Sequence, residues 1–310
     1  RVWKPLWSWI TGEGIYNRED LESDRDVIRR LYQDKGYLEA GVGHPEVMYR
    51  GGVKLVATYA IQQGREFKIG NVTLSGITVF PTNDLASLLT LRKGDVASLA
   101  TIERNADALR DYYYARGYIR ANVRQTIGTR TNEPVADIHL HFTEGNLIHL
   151  RYVDITGNTR TRDEVIRREI LVFPGEVYNQ IKAKRGERVL QNLGFFSTVS
   201  SFPMETDDPK QDDIVYEVDE QQTGNFTIGA GYSSIDDIVG FVELSQGNFD
   251  LLGFPYYTGG GQKLRLRAQL GTERADYQIS FIEPWFLGRR LSLGFDLYHH
   301  TMEYLSDDYN

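Results

Sequence analysis

Two histidine pairs, a glycine run and two acidic doublets are the places in this 310-residue chain where residue spacing could support chemistry. His139 and His141 stand two apart, so on a strand they share a face, and imidazole nitrogens are common zinc ligands. Ile138, Leu140 and Phe142 then point the other way into a core. No carboxylate or cysteine cluster completes four ligands, and the pair reads as a solvated sheet face. His299 and His300 face opposite sides of a strand and cannot hold one ion. Gly259-Gly260-Gly261-Gln262-Lys263 has the glycines of a phosphate loop but neither its spacing nor the Ser/Thr after lysine, and a strand follows where a helix is needed. It reads as a hairpin turn. Asp207-Asp208 and Asp212-Asp213 lack a calcium-loop pattern and read as loop solvation. With no nucleophile–base constellation, the chain reads as a non-enzyme without metal or cofactor.

Bulk properties narrow the class. Hydrophobic content of 41% and charge of 25% are those of a folded protein. The net charge of −8 argues against nucleic-acid binding, which needs a basic surface. The absence of cysteine excludes disulfide scaffolds and thiolate zinc sites. No apolar run reaches the roughly 18 residues of a transmembrane helix. The opening Arg1-Val2-Trp3-Lys4-Pro5 holds no signal-peptide core, which for a barrel protein predicts a removed N-terminus.

The elements that must position any site form a repeat. Gly36, Gly117 and Gly194 recur at intervals of 81 and 77 residues, each followed by an aromatic: Tyr37, Tyr118, and the pair Phe195-Phe196. Ahead of each lies a helical pattern, Val27, Ile28 and Leu31, then Ala108, Leu109, Tyr112 and Tyr113, then Val189, Leu190 and Leu193, predicting one buried stripe. The glycine fits a left-handed helix C-cap, and the aromatic is expected to start a strand. Closing strands are expected at 53–59, 136–142 and 214–218, and matching opening strands at 67–76 and 148–157, ending on Gly76 and Gly157. Second helices are expected at 82–89 and 161–170, with Thr82 and Thr161 as N-caps and Glu164 completing a capping box. Each unit is therefore a small α+β module of order β-α-α-β-β. The copy at 1–65 lacks its opening strand and first helix and is expected to be cut at its front. Trp3, Trp7 and Trp9 would then be packing residues of that module or an exposed patch. Complete copies are expected at 66–145 and 146–222.

From 223 to 310 the period becomes two. Phe226, Ile228, Ala230 and Tyr232 alternate with Thr227, Gly229 and Gly231, and similar runs occupy 263–270, 276–281 and 291–298. Runs of about nine to eleven residues suit tilted strands across a bilayer. A soluble sandwich also alternates. The charged set Lys263, Arg265 and Arg267 suits a wet lumen, however, and Tyr256, Tyr257, Trp285 and Phe286 at strand ends suit an interfacial girdle. About five strands cannot close a barrel, so the full protein is expected to continue, unless this piece lies outside a membrane.

These residues resemble a known family. The β-α-α-β-β units are similar to POTRA modules, with Gly36, Tyr37, Gly76, Gly117, Tyr118, Gly157, Asn158, Gly194, Phe195 and Phe196 carrying the signature. Gly157-Asn158 and the stretch from Leu190 to Val199 resemble the most C-terminal POTRA of the BamA-type outer-membrane assembly factors. Thr223-Gly224-Asn225-Phe226 is similar to that family's passage into the barrel, and Ile279 to Phe286 to an early barrel strand ending on Pro and an aromatic pair. The resemblance implies tandem POTRA modules, the third (partial), fourth and fifth of five, followed by an antiparallel transmembrane β-barrel present only as its first strands. It places the barrel in the outer membrane of Gram-negative bacteria and the modules in the periplasm.

The implied function is the insertion of other β-barrels. Unfolded outer-membrane proteins would add as strands to exposed sheet edges. Accessory lipoproteins and outer-membrane lipid are the other expected partners. Asn225, Phe226, Thr227, Ile228, Gly229, Ala230, Gly231 and Tyr232 form the candidate lateral-seam strand, since glycine weakens strand pairing; the same glycines would serve equally to curve the sheet. Arg167, Arg168 and Glu169 are candidates for lipoprotein contact or for a solvated helix face. The alternative functions are a two-partner secretion transporter, which usually has two modules, and an autotransporter-assembly relative, which usually has three.

Overall fold

Two units make up the chain, Arg1–Asn146 and Leu147–Asn310. The computed structural model describes residues 18–50, 54–233, 237–272 and 274–302. Trp3, Trp7, Trp9 and the start of the strand expected at 53–59 lie outside them.

The described part of the first unit begins with helix α1 (Arg18–Asp34), a small antiparallel pair β1 (Gly41–Val42) and β4 (Ile61–Gln62), and a hairpin of β2 (Glu46–Arg50) and β3 (Lys54–Thr58). The stripe expected on α1 is not covered among the described residues. Ile28 is half-buried, but Val27 and Leu31 are 66% and 55% exposed.

The complete module that follows contains β5 (Lys68–Ser75), α2 (Thr82–Ser87), α3 (Leu99–Tyr114), β6 (Asn122–Thr129) and β7 (Val135–Thr143). β7 is central, parallel to β5 and antiparallel to β6. α3 buries Ile102, Ala106, Leu109 and Tyr113 at helical spacing on the sheet residues Ile138, Leu140 and Phe142. Ala108, expected in that stripe, is exposed. In the second unit β8 (His149–Thr156), α4 (Asp163–Arg167), α5 (Gln180–Asn192), β9 (Phe196–Glu205) and β10 (Gln211–Glu220) repeat this topology, with β10 central. The expected order β-α-α-β-β holds in both.

Local details differ from the sequence expectation for physical reasons. Gly36, Gly117 and Gly194 have φ of 90°, 90° and 73°, as their C-cap role requires. The next aromatic starts a strand only at Phe196. Tyr37 and Tyr118 instead donate their backbone N–H groups back to Tyr32 and Tyr113, closing the helix end before the strand begins. Neither Thr82 nor Thr161 is an N-cap, and no capping box forms: the cap positions are Pro81 and Arg162, without a side-chain bond. The turn before each short helix is held by a glutamate from the closing strand instead. Glu144 accepts from Thr78 N (3.0 Å), Val79 N (3.1 Å) and the Tyr113 hydroxyl (2.6 Å). Glu220 accepts from Thr159 N (3.2 Å), Arg160 N (2.9 Å) and Thr161 N (2.6 Å).

Beyond β10 a five-stranded antiparallel meander follows: β11 (Gly224–Ser233), β12 (Asp237–Phe249), β13 (Gln262–Gly271), β14 (Arg274–Glu283) and β15 (Leu293–Met302), each paired with its sequence neighbour. Strand alternation sorts the side chains. One face carries Phe226, Ile228, Val242, Leu244, Leu270, Ile279, Phe295 and Leu297, all exposed. The other carries Lys263, Arg265 and Arg267 opposite Glu243, which pairs with Arg265 at 2.7 Å and Arg267 at 3.7 Å. A solvent-facing apolar side and a polar side with internal ion pairs are those of a membrane barrel wall. No helix among the described residues is long and apolar enough to cross a membrane.

Burial raises the affinity of Glu144 for a proton, but the bonds from Thr78, Tyr113 and Val79 outweigh it and hold the carboxyl below the usual glutamate range. A depressed pKa contributes stability at neutral pH that is lost as pH falls through the folded value. Glu144→Gln should therefore flatten the decline of this module's melting temperature below about pH 4.3, the ordinary glutamate value. Glu144→Ala, which orphans the Tyr113 hydroxyl, should cost about 2–4 kcal/mol in urea unfolding. Equal pH profiles for wild type and Glu144→Gln would contradict the assignment.

Candidate functional site

Only three residues, Gln221 to Thr223, separate β10 of the last module from β11 of the barrel sheet. They are tied down at both ends: Gln221 N donates to Phe195 O (2.9 Å), and the Thr223 hydroxyl to Gln246 Oε1 (2.6 Å). A cavity of about 150 Å3 sits at this junction, lined by Thr161, Phe195, Glu220, Thr223, Gln246 and Asn248. Glu220 is held below the usual glutamate range: burial raises it, and the bonds from Thr161, Thr159 and Arg160 more than offset that.

The turn that Glu220 organises is the platform on which the barrel sheet docks. The Thr161 hydroxyl accepts from Asn248 Nδ2 (2.9 Å), and Asn248 Oδ1 accepts from Gly261 N (2.8 Å). Arg162 N donates to Gly259 O (3.0 Å), and the Arg162 guanidinium pairs with buried Asp250. The expected hairpin turn at 259–263 is thus the end of a longer connection, 250–261, packed on the module. Its glycines permit the approach. A Cβ on Gly259 would stand 2.0 Å from Arg160 O, and one on Gly261 2.4 Å from Arg168 Nη2.

A second contact corrects the reading of the 167–169 trio. Glu169 is 8% exposed and accepts from Trp285 Nε1 at 2.7 Å, with Arg290 3.8 Å away. The Arg168 guanidinium lies 5.5 Å from the Trp285 ring centroid, and burial lowers its pKa against the raising effect of Glu283, Glu169 and Glu164. Glu169 and Arg168 grip the turn after β14 and so do not form a solvated face. Arg167 alone stays outward, paired with Asp163 at 2.5 Å. Trp285 is half-buried and docks on Glu169 through its indole nitrogen. Phe286 beside it is half-buried. Tyr256 is fully exposed, and Tyr257, with φ of 50°, stacks on Phe249.

The candidate seam strand 225–232 lies wholly within β11, which pairs over its full length with β12 and with no other strand among the described residues. Phe226, Ile228 and Tyr232 project from its apolar face at 65%, 73% and 79% exposure. Gly229 has a packing role. A Cβ there would meet the Phe241 ring at 2.5 Å, and Arg267 covers that ring at 5.0 Å. Gly231 has open space around it. Thr227 and Asn225 face the polar side, across from Glu243 and Ser245.

Asp212 and Asp213, expected in a solvated loop, are buried in β10, where Asp213 pairs with Arg151 at 2.6 Å. His139 and His141 bond to Thr73 and Ser75, and His300 to Asp276. No three potential ligands come together for a metal among the described residues.

Comparison with known proteins matches the family model "Surface antigen variable number repeat", POTRA, at residues 7–64, 67–145 and 148–221, more than half of the chain. The chain belongs to the POTRA family. An Omp85 superfamily domain also matches residues 257–310. Among curated relatives, the outer membrane protein assembly factor BamA of Neisseria meningitidis is 25% identical, over 94% of this chain and 36% of its own length. That of Neorickettsia risticii is 30% identical over 86% and 35%. The chain spans about a third of the length of these relatives. Two solved structures share the fold. BamA from Haemophilus ducreyi lacking POTRA domains 1–3 has a TM-score of 0.65 and 22% identity, covering 76% of this chain and 43% of that one. BamA POTRA3-5 from Haemophilus influenzae has a TM-score of 0.56 and 24% identity, covering 64% and 80%. The fold is tandem POTRA modules followed by partial β-barrel strands.

Within the POTRA frame, the glycines ending the opening strands let the chain pass against the closing strand: a Cβ on Gly76 would stand 2.3 Å from Phe142 O, and one on Gly157 1.9 Å from Val218 O. Asn158 bonds to Thr161 O at 3.1 Å. Sequence reasoning missed Glu144, Glu220, Asn248 and Asp250. The signal for the first two was present, since each glutamate ends a closing strand at the same place in the repeat.

Trp285→Ala removes the donor to buried Glu169 and should cost about 2 kcal/mol of local stability. Hydrogen exchange of 163–170 and 284–292 should then speed up by about 30-fold, with β6 and β7 unaffected. Gly229→Leu should displace Phe241 and lower the unfolding temperature of the barrel sheet, whereas Gly231→Ala should be nearly silent in the same melt.

Proposed function

We propose that this chain is the module-to-barrel section of an outer-membrane assembly factor, with its POTRA modules in the periplasm and its sheet in the outer membrane, that folds other β-barrels into that membrane. The observation that carries the reading is β11. It follows the last module after three residues, Gln221 at that junction bonds back to Phe195, and its pairing row includes Gly229 and Gly231. A strand edge presents N–H and C=O groups that accept an extended chain with little regard to sequence. This suits unfolded outer-membrane proteins as clients and makes 225–232 the templating strand. The outer strands of the modules, β5 and β6, then β8 and β9, offer further edges for strand addition. Accessory lipoproteins would bind outside the Arg168–Glu169–Trp285 contact, which is already occupied. No catalytic step enters the reading. The relatives are named as assembly factors, which supports it.

The test is to replace Thr227 with cysteine in the full-length protein and cross-link it to a cysteine in the closing strand of the barrel. Locking the seam should reduce insertion of a client barrel in reconstituted vesicles, with recovery on reduction. Undiminished insertion by the locked protein would reject β11 as the templating edge.

A further inference from the structure

The connection 250–261 has one side fastened to the last module and the other exposed among the described residues. Its underside is held by Asp250, Gly259 and Gly261 on Arg162, Arg160 and Arg168, as described above. Its backbone is closed on itself: Asp250 N donates to Tyr257 O (3.0 Å), Tyr257 N to Gly253 O (2.7 Å) and Gly253 N to Asp250 O (3.1 Å). So fixed, the outer side chains cannot turn inward. Leu252, Phe254 and Tyr256 are 84%, 81% and 84% exposed, and Leu251 is exposed beside them.

Two observations identify what covers this surface. From Leu251 to Gln262 no residue carries a charge, in a chain that is 25% charged, which is not the composition of a loop facing water. The patch also runs into the apolar face of the sheet. Tyr256 and Tyr257 share a recess of about 200 Å3 with Phe249, Leu244 and Leu264, and Leu244 and Leu264 alternate onto the apolar side of β12 and β13. At the same end of the meander, the turn between β14 and β15 exposes Leu287.

We infer that residues 251–256 form a wedge that inserts Leu251, Leu252, Phe254 and Tyr256 into the membrane leaflet nearest the last module. The inference rests on the proposed membrane barrel and adds a lipid-binding element outside its strands. The wedge grips the module with one side and the acyl chains with the other, so the height of the module above the membrane is set by lipid. Tyr256 and Tyr257 supply the amphipathic rings that favour the headgroup boundary.

The test uses four single-cysteine variants of the full-length protein, Leu252→Cys, Phe254→Cys, Ile279→Cys and Asp208→Cys, each labelled with an NBD fluorophore. The proteins are reconstituted in phosphatidylethanolamine–phosphatidylglycerol vesicles with and without doxyl-labelled phosphatidylcholine. Labels at 252 and 254 should shift to the blue and lose at least half their intensity to the doxyl lipid. The label at 279, on the apolar face of β14, should do the same, and the label at 208, in a polar module loop, should not respond. If 279 is quenched while 252 and 254 behave like 208, the wedge is overturned and the membrane barrel stands. If 279 is not quenched either, both readings fall. Shielding of 252 and 254 that appears only on adding other outer-membrane proteins assigns the surface to a protein partner and also overturns the wedge.

Discussion

Backbone N–H groups left without a strand or helix partner at a turn need an acceptor, and the way this chain supplies one shapes much of the rest. After each opening strand the chain turns back over the sheet with several N–H groups pointing inward. A glutamate at the end of the central strand accepts them together, Glu144 in one module and Glu220 in the next. A charged acceptor serving several donors is stronger than neutral pairs would be, and it fixes the turn as a unit. In the last module the same fixed turn presents Thr161 and Arg162 to the barrel sheet.

The junction is therefore an extension of the module's internal bonding. β10 carries Glu220, and three residues later the chain is already paired in β11. Asn248, Asp250 and the glycine connection dock on the turn, and Trp285 docks on the following helix end through Glu169 and Arg168. These contacts place charged and polar groups where little water reaches, so each demands its partner and tolerates little displacement. The first strand of the sheet follows the module after three residues and pairs along its length with β12.

The register of a strand is set by which face each side chain must occupy. On β11, Phe226, Ile228 and Tyr232 project from one face, while the Gly229–Phe241–Arg267 stack occupies the other. The glycine that looks like a weakness in the strand is filled by a neighbouring ring, so β11 stays firmly joined to β12.

The order of elements was legible in the amino-acid sequence. The spacing of Gly36, Gly117 and Gly194, the helical stripes and the switch to period two after residue 222 reflect local backbone preferences and one-sided burial, which act within a few residues and leave a pattern in the string. Four of the five strands and their two faces followed from alternation, while β12 (Asp237–Phe249) was not among the alternating runs. The partners of isolated polar residues were not legible. Thr161 looked like a helix cap because a Ser/Thr before a helix usually is one, but Glu220, 59 residues away, claims its N–H. Arg168 and Glu169 looked like surface, and Trp285 like a membrane aromatic, until folding brought them into one contact across 116 residues. Gly259 and Gly261 read as a turn, and only the module packed against them explains why a side chain cannot stand there. Periodicity records which face is buried. Which distant group completes a buried hydrogen bond or fills the space beside a glycine is decided by tertiary structure, because that pairing depends on chain segments whose separation in sequence carries no local signal.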